Sequence, residues 1–390
     1  MKALQIFQEI SKIHPQTIQI THGRNEIEVR HQLKLNSVLF VQDDWLTLFF
    51  WKSVIFRFLI DVWFSRQAVA LAQNYARESQ IDPAQIIIHQ TEPNSPVLPR
   101  TIAPNSWNVL GPINGNIYPP PIFKSQEGIK VKLRRLLHMP IQRLNKLFFK
   151  GLSKADMLFV AGDDRTKTSL EVAGVKSEKM VDCVDCGIED EVLDRPRIHH
   201  EGENLKFIYF GRLVFFKGTF LSIESLAKTK HPIQLDIVGQ GPELERCQAL
   251  ARKLGVEDQV SFKGWYSNRS ELIDSLHHYR GFVFPSFEDS NGIAVQESMA
   301  VGLPVICLNW GGPQLLVDHG VTGYLIDPIA PDYITDQIAQ YLDQLATDGA
   351  LAEKMSMAAR QRAELWRWSR VISEWTGYYS QLLSQENPAR

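Results

Sequence analysis

The sequence predicts an α/β protein built from two doubly wound, Rossmann-like domains. Its 390 residues are too many for one compact core and suit two domains of about 150 to 200 residues each. Short apolar runs, including residues 207–210, 235–238 and 281–285, are each followed by glycine or small polar residues, and segments with helical spacing lie between them. That alternation is typical of parallel strands joined by helices.

The composition is that of an ordinary soluble enzyme, with 44% hydrophobic and 22% charged residues. A net charge of −2 gives no signal for nucleic acid, so we expect no nucleic acid partner. Cys247 and Cys307 are isolated in apolar segments, and the Cys183/Cys186 pair lacks a second pair or a histidine in ligand spacing. We therefore predict free structural thiols, no zinc site and a reducing, cytoplasmic location.

The first half of the chain contains several predicted elements. Residues 3–13 have helical spacing, and residues 17–22 form an apolar run that predicts a strand. Residues 85–96 and 107–115 each begin as a strand and end in polar residues. Such strand ends are where side chains of a parallel sheet gather around a ligand.

Two segments raise the question of membranes. Residues 45–64 are apolar and aromatic, but Lys52, Arg57 and Asp61 interrupt them. Because each central charge costs ~3 kcal/mol, a spanning helix is disfavoured. Nor does the sequence begin with a secretory signal pattern at Met1.

The second segment, residues 124–154, has nine Lys and Arg residues against one acid, Glu127, with apolar residues interleaved. This basic amphipathic pattern is compatible with lying on an anionic bilayer. The alternative is a domain helix whose outer face is solvated. Our hypothesis is that the segment docks the protein on a membrane.

Two cations follow the strand predicted at residues 207–210. Gly211 and Arg212 come directly after the strand, and Lys217 and Gly218 open the next helix. Arginine offers phosphate a planar fork and lysine a compact charge, which is what a diphosphate needs when no metal holds it. In isolation both would be read as solvated surface charges, but their place at a strand end favours ligand contact.

Two acids flank the turn after the strand predicted at residues 281–285. Seven residues separate Asp289 from Glu297, and the small residues among them precede a helix. The ligand-binding candidates in this turn are Ser290, Asn291, Gly292 and Ile293. We expect their backbone amides to point at phosphate and the two acids to accept hydroxyl hydrogen bonds. The alternative is a strand capped by ordinary solvated acids.

A third strand end, at residues 235–238, leads into Gly239 and Gly241. A dinucleotide fingerprint would need a third glycine where Leu244 stands, so a nicotinamide enzyme is disfavoured. The strand at residues 260–265 ends in Trp265, which could pack on a nucleotide base or in the core.

In their order and spacing, these blocks resemble the retaining glycosyltransferases of family 4, which have the GT-B fold. The resemblance covers roughly residues 200–380. It implies that Arg212 and Lys217 hold the diphosphate of a nucleotide-sugar donor. It also implies that Asp289 and Glu297, in the place of the family's paired glutamates, contact the donor sugar and the ribose hydroxyls.

The chain departs from the family pattern at two positions. Asp289 is one methylene shorter than the usual glutamate, which withdraws its carboxylate by ~1.5 Å. Leu315 stands where the family has an acid shortly after Gly311-Gly312. Either the donor sugar differs, or the activity is reduced.

On the acceptor side, the resemblance makes His89, Asn94 and Asn114 candidates for contact with the acceptor. The segment 111–115 stands where many members have a second histidine. A lone histidine after an apolar strand is more often a satisfied core residue, so His89 is a candidate only.

The start of the chain also differs from the family pattern of strand, glycine-rich loop, helix and second strand. No glycine precedes Gly23, and residues 3–13 and 17–22 match the helix and the second strand. We hypothesise that the first strand and its phosphate-facing loop are missing. The competing view makes residues 2–7 the first strand.

The polar stretch at residues 194–203 predicts the domain boundary. We expect an acceptor-side domain at residues 1–198 and a donor-binding domain at residues 199–365. The resemblance implies that residues 366–390 return to the first domain.

The resulting prediction is a retaining hexosyl transfer from a nucleotide sugar to a hydroxyl of a glycan or lipid-linked acceptor, in cell-surface polysaccharide synthesis. We expect no metal and no other cofactor, and peripheral contact with the inner face of the membrane. The alternative is a weakly active or inactive relative that acts as a membrane-associated assembly partner.

Overall fold

The computed structural model describes residues 2–32, 37–52, 57–92, 95–115, 118–126 and 128–385. The chain divides into two compact units. The first unit comprises residues 1–116, 133–185 and 369–390, and the second comprises residues 117–132 and 186–368.

The strands in chain order are β1 (Gln19–His22), β2 (Val38–Val41), β3 (Ile87–Gln90), β4 (Trp107–Ile113), β5 (Met157–Val160), β6 (Met180–Asp182), β7 (Lys206–Phe210), β8 (Gln234–Val238), β9 (Val260–Gly264), β10 (Gly281–Phe284), β11 (Val305–Leu308) and β12 (Gly323–Ile326). The helices are α1 (Lys2–Ile13), α2 (Glu26–Gln32), α3 (Trp45–Lys52), α4 (Arg57–Glu78), α5 (Ile129–Phe148), α6 (Gly151–Lys154), α7 (Asp164–Val172), α8 (Asp190–Leu193), α9 (Thr219–Leu226), α10 (Leu244–Leu254), α11 (Arg269–Ser275), α12 (Ile293–Val301), α13 (Pro313–Leu316), α14 (Pro331–Thr347), α15 (Gly349–Ala363) and α16 (Trp368–Leu383).

The first unit contains a parallel sheet in the order β3-β4-β5-β6 and a parallel pair, β1-β2. The predicted helix at residues 3–13 is confirmed as α1, and the predicted strand at residues 17–22 as β1. Helix α16 packs on β5 through Trp375, whose ring lies 4.7 Å from that of Phe159. Aromatic packing of this kind stabilises the sheet face beyond simple burial of area.

The second unit contains a six-stranded parallel sheet in the order β12-β11-β10-β7-β8-β9. Its central strands β7, β10 and β11 are apolar except for Lys206 at the start of β7, as is typical of a parallel sheet with helices on both faces. Phe207, Phe282 and Phe284 are almost completely buried. The chain moves from β7 outward to β9 and then crosses back to β10 on the other side of β7. The strand order therefore reverses between β7 and β10, and open parallel sheets bind ligands at the carboxyl edge beside such a reversal.

Among the residues that the structure describes, no helix has both the length and the apolar composition to cross a bilayer.

Candidate active site

The loops that leave β7 and β10 are in close contact at the carboxyl edge of the second unit's sheet. Gly218 has a φ of +68°, and a Cβ there would lie 2.2 Å from the carbonyl oxygen of Pro285. Glycine therefore fits where other side chains would clash, both for its backbone conformation and for its lack of a Cβ. This close approach brings the predicted phosphate-binding loop against the predicted acid turn.

Lys217 and Asp289 form an ion pair across these two loops. The Lys217 Nζ donates to Asp289 Oδ2 at 2.5 Å, and both side chains are largely buried. The ammonium group also lies 5.1 Å from the ring centroid of Phe284, within the range of a cation–π contact. The structure thus brings together two of the residues that the sequence predicted to share a site.

The other oxygen of Asp289 organises its own turn. Its Oδ1 accepts hydrogen bonds from the backbone N–H groups of Asn291 at 3.3 Å and Gly292 at 3.0 Å. An aspartate is short enough to cap amides two and three residues further on. This differs from our prediction that the amides of residues 290–292 point at phosphate, because two of them are already engaged.

Helix α12 begins directly after this turn, with Gly292 as its N-cap residue at a φ of +75°. The first intrahelical bond that closes onto the cap joins the N–H of Gln296 to the carbonyl of Gly292 at 3.0 Å. The amides of residues 293–295 belong to the first turn, where helix N–H groups lack intrahelical acceptors. Of the predicted amide donors, Ile293 is therefore in the position best suited to an anion.

Glu297 lies one helical turn further along α12 and is bound by a residue that the sequence analysis missed. The guanidinium of Arg269 forms a bidentate ion pair with the Glu297 carboxylate, with Nε donating to Oε1 at 2.5 Å and Nη2 donating to Oε2. Asn268 accepts a hydrogen bond from the Ser270 amide at 2.9 Å and so caps α11. The sequence shows this cap pattern, but the partner of Arg269 is distant in sequence and only the fold reveals it.

Arg212 is held less tightly at the site than Lys217. Its side chain is exposed, and its backbone oxygen accepts a hydrogen bond from the buried Tyr209 hydroxyl at 3.2 Å. Burial raises the pKa of Tyr209, so this hydroxyl stays protonated and can donate. In the described part of the chain, Lys217 is the one of the two predicted phosphate cations that contacts the acid turn.

The three predicted glycines of the β7 and β8 loops hold these loops together. A Cβ on Gly239 would lie 1.9 Å from the carbonyl oxygen of Gly211, and one on Gly241 would lie 2.2 Å from that of Leu213. Backbone hydrogen bonds join the loops, including one from Leu213 N–H to Gln240 at 2.8 Å. The structure thus explains these glycines by close backbone packing, whereas we had predicted contact with the donor.

Trp265 follows the edge strand β9 and is 56% exposed. The exposure argues against the alternative that it fills the core. Strand β9 lies two strands from β7, which places it roughly 10 Å away at ordinary strand spacing.

The Gly311-Gly312 turn packs on the acid turn from the side of β11. The Gly312 N–H donates to the carbonyl of Asp289 at 2.7 Å, and a Cβ on Gly312 would lie 2.7 Å from the Ser290 carbonyl oxygen. Leu315, in the place of the family acid, is 47% exposed. Where the family pattern has an acid, this chain therefore has a partly exposed apolar side chain at the same edge of the sheet.

In the first unit, the structure gives His89 two hydrogen bonds. Its Nε2 lies 2.7 Å from the carbonyl oxygen of Gly111 and its Nδ1 lies 2.7 Å from the Tyr379 hydroxyl. Since a carbonyl only accepts, Nε2 carries the proton and Nδ1 accepts from tyrosine. Burial lowers the pKa of His89 to about 4, so the ring is neutral, as expected of a satisfied interior histidine.

The other two acceptor-side candidates are Asn94 and Asn114. Asn94 lies outside the described residues. Asn114 donates a hydrogen bond that favours the charged form of Asp185, which also pairs with Lys2. Burial is the larger effect and raises the pKa of Asp185.

Comparisons with known proteins agree with this geometry. Residues 191–362 match the family model "Glycosyl transferases group 1". A 2-deoxystreptamine N-acetyl-D-glucosaminyltransferase from Niallia circulans is 27% identical over 46% of this chain and 44% of that protein. A GDP-mannose-dependent phosphatidylinositol monomannoside mannosyltransferase from Mycobacterium tuberculosis is 32% identical over 44% of this chain and 46% of its own. The chain spans about half the length of the curated relatives it matches.

Solved structures extend the likeness to nearly the whole chain. A glycosyltransferase from Rickettsia africae covers 99% of this chain and 95% of its own, with a TM-score of 0.63 and 15% identity. Anabaena HepE in complex with UDP covers 98% of this chain and 96% of its own, with a TM-score of 0.61 and 16% identity. Residues 191–362 are therefore a glycosyl transferases group 1 domain, and the chain has the GT-B fold.

Proposed function

We propose that this protein is a retaining glycosyltransferase that moves a hexose from a nucleotide sugar to a hydroxyl of a glycan or lipid-linked acceptor in cell-surface polysaccharide synthesis. The observation that carries the proposal is the meeting of Lys217 and Asp289 beside the strand-order reversal, with Glu297 on the helix that follows. Supporting it, a lipopolysaccharide 1,6-galactosyltransferase from Salmonella typhimurium is 32% identical over 32% of this chain and 36% of that protein.

The donor is proposed to lie along the carboxyl edge of the second unit's sheet. Lys217 and the first-turn amides of α12 would bind the diphosphate, and Arg212 would add its exposed guanidinium from the same loop. Trp265 would stack on the base at the β9 end of the edge. In this arrangement Glu297 accepts from the ribose hydroxyls and Asp289 from the sugar.

In the proposed step, the bond from the anomeric carbon to the diphosphate oxygen breaks, and a bond to the acceptor oxygen forms on the same face of the sugar. The acceptor proton passes to the leaving diphosphate, so no protein base is required. Negative charge grows on the diphosphate as the bond breaks. Lys217 and the α12 amides stabilise that charge more in the transition state than in the ground state, which accelerates the reaction.

The two acids of the site are held by cations of the protein. Lys217 offsets the charge of Asp289, and Arg269 offsets that of Glu297. Because each acid is paired, the two carboxylates place little net negative charge beside an anionic donor, and the positions of the cations are already set, which lowers the reorganisation needed on binding. We propose on this ground that the protein's own cations neutralise the diphosphate, without a metal ion or other cofactor.

The second candidate is a weakly active or inactive relative that serves as a membrane-associated assembly partner. The observation that favours it is the engagement of Asp289 on both oxygens, by Lys217 on one and by its own turn on the other. Together with the shorter side chain, this leaves less reach toward a sugar than the glutamate of the family pattern.

The test is a transfer assay with nucleotide-sugar donors and glycan or lipid-linked acceptors, followed by release of nucleoside diphosphate and by NMR of the new linkage. We expect donor and product to share anomeric configuration and chelator to leave the rate unchanged. A product of inverted configuration would contradict the retaining mechanism. Donor binding without any transfer would favour the second candidate.

A further inference from the structure

Helix α5 carries polar residues on its inner face and apolar residues on its outer face. The side chains of His138, Gln142 and Asn145 are buried, whereas Leu136 and Leu147 are 72% and 67% exposed. A helix on the surface of a globular protein ordinarily turns its apolar stripe toward the core. Helix α5 has the opposite orientation.

Hydrogen bonds fix this orientation. Gln142 Nε2 donates to the carbonyl of Pro96 at 2.8 Å and to Ser169 Oγ at 2.7 Å, and Asn145 Nδ2 donates to the carbonyl of Val97 at 2.9 Å. Rotating the helix to bury its leucines would leave these buried groups unpaired, at a cost for each one. The inner face is therefore committed to the protein, and the apolar residues stay outside.

The outer face of α5 is a continuous apolar surface. Its members are related by spacings of three, four and seven residues, which place them on one face of a helix. They are Leu133, Leu136, Leu137, Leu144, Leu147 and Phe148, and all of them are more than two-fifths exposed. Monomeric soluble proteins rarely expose contiguous apolar patches of this extent without a binding role.

Positive charge borders this surface. Arg143, Lys146 and Lys150 are exposed on or directly after α5, and the sequence from residue 133 to residue 154 contains no Asp or Glu. Apolar side chains that enter the acyl boundary, next to cations that meet lipid phosphate, match the surface of an anionic bilayer.

We propose that the outer face of α5 docks the protein on anionic phospholipid, with α5 lying in the plane of the interface. The inference uses none of the donor-binding residues. Docking favours a lipid-linked hydroxyl over a soluble glycan as the acceptor, and this second conclusion rests on the proposed glycosyl transfer.

The experiment is cosedimentation of the 390-residue chain with phosphatidylcholine vesicles that contain increasing fractions of phosphatidylglycerol. We expect binding that rises with the anionic fraction and falls with salt. The double variant Leu136→Glu/Leu147→Glu should weaken binding by at least about tenfold, since it puts charge at the acyl boundary. The control Ile329→Glu, at an exposed apolar residue of the second unit, should bind as the unaltered protein does.

A charge series completes the test. Arg143→Gln/Lys146→Gln should weaken binding to anionic vesicles roughly thirtyfold, at about fivefold per cation removed. The matched control Lys253→Gln/Lys354→Gln, at exposed lysines of the second unit, should not. Each variant must retain the melting temperature of the unaltered protein, which separates docking from folding.

Binding that is equal on neutral and anionic vesicles, or variants that bind as tightly as the unaltered protein, would overturn the proposal. Loss of a dimer in the Leu136→Glu/Leu147→Glu variant, without any vesicle binding to lose, would assign the face to a second copy and also overturn it. Nucleotide binding measured on the same variants keeps failure of docking distinct from failure of the proposed function.

Discussion

The second unit's sheet edge and helix α5, whose residues from 133 onward belong to the first unit, place polar and apolar groups in opposite ways. At the sheet edge, Lys217 and Asp289 sit on loops above a core of buried strands, as the hydrophobic pattern requires. In α5, Gln142 is buried and Leu144 is half-exposed. At the sheet edge, apolar side chains are buried and polar side chains lie outside, as packing of a core requires. In α5 the polar side chains are buried and the apolar ones are exposed, which packing of the core alone does not explain. The first points to a ligand site and the second to an external apolar partner.

The largest effect is expected at the sheet edge. Lys217→Ala removes the cation beside Asp289 and should lower the rate of transfer by ~10²–10³-fold, because the charge that grows on the leaving diphosphate loses its stabilisation. Steady-state kinetics check this, with Lys253→Ala, at an exposed lysine of α10, as the control. Equal rates for both variants would remove Lys217 from the proposed machinery.

The next prediction concerns the inverted helix. Gln142→Leu leaves the Pro96 carbonyl and the Ser169 hydroxyl without this partner and should lower the free energy of unfolding by about 1–3 kcal/mol, although leucine is the better core residue. Leu144→Gln, on the outer face of α5, should change it by less than about 0.5 kcal/mol. Chemical denaturation measures both. A stabilising Gln142→Leu would mean that the polar inner face is not needed.

The third prediction tests whether Arg269 positions Glu297 at the sheet edge. Arg269→Ala frees the Glu297 carboxylate from its fork and should raise the KM for the donor about tenfold with a smaller change in kcat, because Arg269 positions Glu297 and is not itself assigned to the reacting atoms. Arg195→Ala, which removes a different ion pair to α11, is the control. A loss confined to kcat would contradict a positioning role.

The smallest effect is a pH dependence of stability that the two units share. Burial lowers the pKa of His22 and His89 in the first unit, and of His200 in the second, from 6.5 to about 4. Because the unfolded chain takes up these protons first, the stability they support is complete above pH 6.5 and is lost as the pH falls toward 4.

Each such histidine contributes up to ~1.4 kcal/mol per pH unit to the slope of stability in that range. The His89→Gln variant should therefore show a shallower fall in melting temperature between pH 6.5 and 5 than the unaltered protein. Parallel curves for the two proteins would mean that His89 is not held neutral in the folded state.

Much of the second unit could be predicted from the sequence because its strands are short apolar runs that end in glycine or small polar residues. Strands β7, β8, β9 and β10 all lie where these runs predicted them. What the sequence could not supply was the partner of each side chain. The pairing of Arg269 with Glu297, 28 residues apart, depends on the fold, which brings the first residue of α11 to the Glu297 side chain on α12.

Two site predictions depended on atomic contacts that a sequence pattern does not show. The Asp289 carboxylate accepts hydrogen bonds from the Asn291 and Gly292 amides, because a side chain one methylene shorter than glutamate reaches its own turn. Gly239 and Gly241 allow backbones to approach, which a glycine in sequence signals as readily as ligand contact. For α5, periodicity predicted an amphipathic helix, but the side that faces the protein was set by buried hydrogen bonds.

The central claim is that the sheet edge between β7 and β10 binds the diphosphate of a nucleotide sugar through Lys217. Thermal unfolding of the unaltered protein and of Lys217→Ala against a panel of nucleoside diphosphates and their sugars tests it most directly. We predict that ligands of one base, at a hundredfold excess over their dissociation constant, stabilise the unaltered protein by ~2.7 kcal/mol and the variant far less. No stabilisation by any of them, or equal stabilisation of both proteins, would contradict the claim.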